Sequence, residues 1–389
     1  MQSLLADPDP GRLLDLQRAS SQWRKAISVA ASVTALQQQV AKPAPPSTNQ
    51  LMLPRSSFTS IGADMARYIT KYERNGEKVD VLIEWRAYTV PQHSETKTTY
   101  LNTCLDLARL LHASQNLDAY RTLDCIGILD DVEFKPHFRI GLVYRLPLAI
   151  SPAVHSSSMQ VLTLHELINR KGLSRPRLDE RFELARNLAT GIHRLFVSRW
   201  YHKNLNSRNI LFFTGPGLGS EIARPYLTGF EYARPDSPDE MTIKPEADEF
   251  CDRYRHPHCT HPDSRNVIRF SRRFDIYSLG VILTEIGRWE TVDRIHRDYS
   301  SQKAKAAKGA SLVGTEVSLD SFQRYVRTRC VESLGFRMGQ IYTDAVRFCL
   351  DGDQTAGSAN ESIPVGDGEE LLVSRFNKEV VAELAKCTV

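Results

Sequence analysis

A few short stretches of this chain concentrate side chains able to do chemistry. The stretch WYHKNLNSRNILFF (200–213) places an imidazole, His202, an ammonium, Lys203, and three carboxamides, Asn204, Asn206 and Asn209, in one polar run that leads into an apolar one. An amide cannot take a proton from a hydroxyl at neutral pH, so Asn204 offers hydrogen bonds and no general base. The stretch CDRYRHPHCTHPD gathers Cys251, His256, His258, Cys259 and His261. Thiolate and imidazole at that density can bind Zn²⁺, but the spacing fits neither C-x₂-C nor H-x₃-H, so the five are weak metal candidates and no metal is expected. Ser156-Ser157-Ser158 lacks a histidine-plus-acid frame and reads as a polar loop rather than a nucleophile. The glycines of GPGLGS (215–220) read as turn residues, not as a phosphate-binding loop.

The elements that must position these groups follow from composition and periodicity. The chain has 389 residues, 41% hydrophobic and 25% charged, which suits one large domain with a short extension. A net charge of +4 is too small to point to nucleic acid, and the cluster Lys303, Lys305, Lys308 reads as a solvated loop. No apolar run approaches the ~18–20 residues of a membrane span. The N-terminal MQSLLADPDPGRLLD carries acids and no apolar core, so it is not a secretory signal. Seven dispersed cysteines are an odd number and read as reduced thiols of a cytoplasmic protein.

Along the chain, Leu13, Leu16, Trp23, Ile27 and Val33 predict a helix over 11–40, and the prolines of KPAPPSTNQ (42–50) break it. Residues 1–50 are therefore expected to be a helical extension and a Pro-rich linker. ARYITKYERNGEKVDVLIEWRAY predicts two strands turned at Asn75-Gly76. An amphipathic helix is expected over 99–114, then paired strands at CIGILDD and FRIGLVYRLP. Beyond residue 147 the pattern is mainly helical. A short helix ends at Gly172, a long one covers 177–199, and FDIYSLGVILTEIGRW is apolar enough to be buried. Further helices are expected at 319–331, 338–350 and 372–386, with an acidic mobile loop over 351–370.

In order, VLIEW, GLVYRLP, HKNLNSRNILF, LTGFEYAR, YRHP and FDIYSLGVILTEIG resemble the motifs of a protein kinase domain over roughly residues 60–387. The narrower likeness is to fungal kinase-like domains that stand behind a helical HeLo-type, prion-inhibition effector domain. The resemblance implies an α+β, two-lobed protein kinase-like fold within 51–389. A β-rich small lobe would cover about 60–147 and a helical large lobe about 148–387.

Kinases position phosphates with a Gly-rich loop, a strand Lys paired to a helix Glu, a catalytic Asp, an Asn and a metal-binding Asp. The resemblance places this chain's residues at those positions one by one. No G-x-G precedes VLIEW; the nearest glycines are Gly62 and Gly76. Glu84 stands at the strand Lys, a charge reversal that sets a carboxylate where phosphate oxygens would lie. Like charges 4 Å apart repel by about 4 kcal/mol at an effective dielectric of 20. Arg86, two residues on, shares the face and is a weak candidate for a displaced cation. No Glu occurs in 96–132 to serve as its helix partner, and Asp106 is the acid on that helix. Asn204 replaces the catalytic base, Asn206 the Lys two residues on, and Asn209 keeps the second metal-ligand position. Gly229-Phe230-Glu231 stands where D-F-G would, so the metal-binding Asp is lost and Glu231 is a weak substitute. His258 replaces the Glu of A-P-E, whose usual arginine partner would lie near RTRC (327–330). His202, Leu205, Phe230, Asp275 and Gly280 match positions that hold a kinase core together, and Asp275 is expected to bind the backbone of the HKN loop.

The framework positions match while the chemistry positions do not. The leading expectation is therefore a pseudokinase, a regulatory or interaction module that binds a protein partner or its own helical effector domain and needs no cofactor. The alternative is an atypical ATP-dependent kinase that uses Arg86, Glu231 and Asn209 with ATP and Mg²⁺.

Overall fold

The computed structural model describes residues 46–62, 66–88, 94–112, 120–134, 138–147, 160–172, 174–214, 222, 224–236, 248–260, 270–307, 317–352 and 367–389. The helix expected over 11–40, His261, Lys308, Ser156–Ser158 and most of the 351–370 loop lie outside those residues. Residues 48–389 form one compact α+β unit.

Strands β1 (Arg67–Arg74) and β2 (Glu77–Tyr88) form the expected hairpin. Its two-residue turn, Asn75 (φ 54°) and Gly76 (φ 81°), has the positive φ values that match the twist of the flanking strands. Helix α1 (Ser94–Leu111) follows and starts earlier than periodicity indicated. Strands β3 (Asp124–Asp131) and β4 (Phe138–Arg145) complete a four-stranded sheet in the order β1-β2-β4-β3, antiparallel throughout.

Side-chain alternation divides this sheet between two cores. Leu82, Ile140, Leu142 and Tyr144 join the main core with α1, whereas Val81, Ile83, Trp85 and Val143 face the other way. The second face would lie open but for the segment before β1. Leu53 N donates to Ile128 O (2.9 Å) at the β3 edge, and Thr59 N donates to Lys71 O (3.1 Å) at the β1 edge. The segment thus crosses the sheet, and Leu53 and Phe58 cover that face. The end of the expected linker is a helical turn, Thr48–Leu51, tied to α1 where Arg109 donates to Thr48 Oγ1 (2.9 Å).

The rest is mainly helical. Strand β5 (Gln160–Thr163) leads into α2 (Leu164–Asn169), whose N-terminus carries a Thr163/Glu166 capping box. Helix α3 (Leu178–Val197) is followed by β6 (Trp200–Tyr201), β7 (Ile210–Thr214), β8 (Tyr226–Leu227) and β9 (Arg234–Pro235). These strands pair as β5-β7-β8 and β6-β9, and so fix the two ends of the 202–209 and 228–233 loops. Helix α4 (Arg272–Arg288) is buried on all sides, as its unbroken apolar pattern predicted. Gly280 permits that burial, because a Cβ there would stand 2.8 Å from Cys349 Cβ. Around α4 lie α5 (Val292–Ala307), α6 (Leu319–Tyr325), α7 (Gly335–Asp351) and α8 (Asp367–Phe376). Helix α8 starts within the stretch expected to be a mobile loop. Glu369 explains the early start: it accepts from Ser271 Oγ (2.6 Å) and pairs with Arg272 (3.1 Å) at the N-terminus of α4.

Candidate functional site

The loops 202–209 and 228–233 meet the inner face of β2. Strand alternation places Glu84 and Arg86 on that face, beside Leu82 and away from the covered outer face. Both are buried.

Glu84 points at backbone. Its Oε1 accepts from Gly229 N (2.8 Å) and Phe230 N (2.9 Å), and its Oε2 pairs with Arg67 Nε (3.4 Å). Gly229 precedes a 3₁₀ turn, Phe230–Tyr232, so the carboxylate meets unsatisfied N–H groups at a helical start. The carboxylate expected to stand in a phosphate position is thus fully occupied. Arg86 is occupied as well. Its Nε (2.9 Å) and Nη2 donate to Glu231 O, its Nη1 reaches Cys104 Sγ (3.5 Å), and its guanidinium lies 5.2 Å from the Tyr100 ring centroid. It holds the Glu231 backbone and is not a displaced cation facing an open site.

Arg67 joins these parts. Besides Glu84, it donates to Arg208 O (3.0 Å) and to Asn209 Oδ1. Sequence reasoning did not single it out. The signal was available in the hairpin: counting back from the Asn75-Gly76 turn, Arg67 stands opposite Glu84.

The carboxamides form a closed network. Asn204 Nδ2 donates to Glu231 Oε1. Asn206 Nδ2 donates to Asn204 Oδ1 (3.1 Å), while Asn206 Oδ1 caps Arg208 N (2.9 Å). Asn209 Nδ2 donates to Asn204 O (2.8 Å). Burial, reinforced by the nearby Glu84 charge, raises the pKa of Glu231. The Asn204 amide gives it a donor in place of a second negative charge.

Gly229 has φ +79°, and a Cβ there would stand 2.1 Å from Asn209 Cγ. Neither the backbone nor the space admits a side chain. An aspartate at 229 cannot be accommodated while Asn209 keeps its place.

The framework residues also meet. Asp275 Oδ2 accepts from His202 N (2.8 Å) and its Oδ1 from Lys203 N (2.9 Å), the contact expected of it. Lys203 has φ +65°, so Asp275 holds a bend that an L-residue adopts reluctantly. Burial pushes the Asp275 carboxyl up to about 7 against those two donors. His202 packs on Phe230, ring centroids 4.7 Å apart. Its Nε2 donates to Thr228 O (2.9 Å) and its Nδ1 accepts from Asn204 N (3.3 Å), which fixes a neutral tautomer. Burial lowers its pKa to about 3. Leu205 is buried in the main core.

The cysteine and histidine stretch is spread through packing. His256 packs tilted against Phe274 and edge-on to Tyr277 (centroids 5.1 Å apart in each pair), and burial lowers its pKa to about 3. Cys251 Sγ donates to Asp248 Oδ2 (3.3 Å). His258 N donates to His256 Nδ1 (3.2 Å), and Cys259 closes the helical turn at His256 through its backbone N (2.8 Å). Among the described residues no three His, Cys, Asp or Glu side chains are arranged to hold a metal ion. Arg327, expected near His258, pairs with Asp351 (2.8 Å).

Residues 63–386, which span every element of this site, match the sequence profile of the family described as Domain of unknown function (DUF7580). The chain belongs to that family. No curated protein matches it. Within this DUF7580 domain the Glu84–Gly229 contact joins the first hairpin of the matched span to its central loops, so the site lies wholly inside it.

Proposed function

We propose that this chain is a catalytically degenerate protein kinase-like domain, a regulatory or interaction module rather than a phosphotransferase. The sheet with α1 corresponds to the small lobe of such a fold and the helical remainder to the large lobe. The observation that carries the reading is the contact of Glu84 with Gly229 N and Phe230 N, closed by Arg67 onto Asn209. A nucleotide site needs cations and free N–H groups aimed at phosphate oxygens. Here the cations Arg67 and Arg86 and the N–H groups of the 229–230 turn are bound to protein partners, and the groups turned toward one another include two carboxylates, Glu84 and Glu231. A module of this kind acts through the surfaces it offers to a protein partner or to a helical effector domain on its own chain.

The test is a thermal melt of the purified protein with ATP and Mg²⁺. A ligand at a hundred times its Kd raises stability by about 2.7 kcal/mol. We expect no shift at millimolar nucleotide. A Mg²⁺-dependent shift, with transfer of radiolabelled γ-phosphate lost in Asn209→Ala, would instead establish the atypical-kinase reading.

A further inference from the structure

A cleft of about 460 Å³ lies between α2, the 207–209 turn, the Glu249–Asp252 turn and α5. Charged side chains of both signs line it, and their commitments differ by sign.

The carboxylates are engaged. Asp248 Oδ1 caps the turn at Phe250 N (2.8 Å), and its Oδ2 takes the Cys251 thiol. Asp293 pairs with Arg253 (2.9 Å) and faces His165 (3.8 Å). Glu249 pairs with the same arginine (3.5 Å). The cations are only partly engaged. Among the described residues, no carboxylate lies within ion-pair distance of Arg208 or Arg297. Arg208 is exposed, its guanidinium 3.5 Å from the Phe250 ring centroid, which fixes its direction; Asp248 attracts it from beyond ion-pair distance. Arg297 is exposed on α5. Both lie close enough to His165 for their charges to oppose its protonation, although burial is the larger cause.

We propose that this cleft is a docking site for a segment of a partner protein bearing Asp or Glu side chains, held by Arg208 and Arg297. This inference deepens the interaction-module reading above and rests on it. Charge complementarity selects the occupant. A basic peptide would find Glu249 and Asp293 already paired with Arg253 and Asp248 already accepting from Phe250 N and Cys251 Sγ. A phosphate dianion or a nucleic acid would lie against Asp248, Glu249 and Asp293, and burial lowers the pKa of His165 and His296. A monoanionic carboxylate meets a guanidinium with planar, bidentate geometry and the least repulsion from those acids.

The test is fluorescence anisotropy on the full chain. The probe is a labelled twelve-residue peptide carrying four glutamates among neutral residues; its comparison peptides carry glutamine or phosphoserine at the same places. We expect the glutamate peptide to bind at least tenfold tighter than the glutamine peptide. Arg208→Glu and Arg297→Glu should each weaken it at least tenfold while the chain keeps a cooperative unfolding transition, with Arg208→Glu melting slightly lower because it loses the Phe250 contact. Lys305→Glu, exposed near the end of α5 and outside the cleft, should leave it unchanged. Equal binding of the glutamate and glutamine peptides, indifference to both arginine variants, an equal loss in Lys305→Glu, or a tenfold preference for phosphoserine would each overturn the proposal. Nucleotide binding is read separately, so a failure here is distinguishable from a failure of the pseudokinase reading.

Discussion

Replacing Glu84 gives the most direct reading of what the site does. Were Glu84 a carboxylate left over in a lapsed phosphate site, Glu84→Lys would relieve it and move the chain toward nucleotide binding. The geometry argues the opposite. Glu84 Oε1 is the acceptor for two buried N–H groups, those of Gly229 and Phe230. In Glu84→Ala both donors lose their partner, at about 1–3 kcal/mol each. Arg67 keeps Arg208 O and Asn209 and adds little. The loss should total about 3–5 kcal/mol, the range for removing one member of a buried charged pair. Glu84→Gln keeps an acceptor oxygen but surrenders the charge, and charge-assisted bonds are roughly twice as strong as neutral ones, so about 1–2 kcal/mol is expected. Glu84→Lys removes the acceptor and sets an ammonium against two N–H donors and a guanidinium, so it should exceed the alanine variant. Urea unfolding at 25 °C measures these differences directly. A thermal melt should show roughly 6–10 °C for alanine, from about 2 °C per kcal/mol in a large domain. The order Gln, Ala, Lys of increasing damage is the test. A lysine variant as stable as wild type, or one that gains nucleotide affinity, would refute the reasoning.

Three further outcomes follow. Gly229→Ala should lose about 2–4 kcal/mol from left-handed backbone strain and the clash with Asn209, and Asn209→Ala in the same chain should recover part of it; a neutral Gly229→Ala in urea unfolding would mean the loop runs elsewhere. Asn204→Asp should give no phosphotransfer and should destabilise the fold, because it removes the donor to Glu231 and adds a like charge; the loss should be smaller at pH 5 than at pH 8, and a pH-independent loss would break the pairing. Glu285, buried beneath Tyr254 and Ser207, has its carboxyl pushed by burial up to about 8 from 4.5. The native state therefore keeps a proton that the unfolded chain has lost, and the stabilisation is complete below about pH 4.5 and gone above about pH 8. Relative to Glu285→Gln, wild-type stability should fall as pH rises from about 5 to 8, and a flat difference in parallel urea titrations would show that Glu285 is ionised in the fold.

The fold was legible where periodicity and turn chemistry act locally. The Asn75-Gly76 hairpin, the pairing of β3 with β4, and α3 all follow from spacing, and the burial of α4 from its lack of a polar face. The segment across the outer face of the sheet was not legible, because Met52 and Phe58 make single bridges at opposite sheet edges and the segment carries no periodic signal. The early start of α8 was hidden for a similar reason: Glu369 in an acidic, glycine-containing stretch looks solvent-seeking until the N-terminus of α4 supplies its donors.

At the site, residue types were legible but their partners were not. Glu84 reads as a misplaced charge only if its neighbour is a ligand; beside a 3₁₀ start it is an anion at the positive end of a turn. Gly229 reads as a lost metal ligand, yet at φ +79° against Asn209 it is the residue the loop requires. Arg86 reads as a cation in reserve, yet its donors hold Glu231 O in place. Glu84, Arg86 and Gly229 thus each face protein partners. The changes are coupled through shared atoms: Glu84 needs the 229–230 amides, those amides need a glycine at 229, and Asn209, which bars a larger residue there, is held by the Arg67 that Glu84 orients. Glu84→Lys, Gly229→Asp and Asn209→Ala should therefore each weaken the fold, because each removes one member of a contact whose other member stays in place.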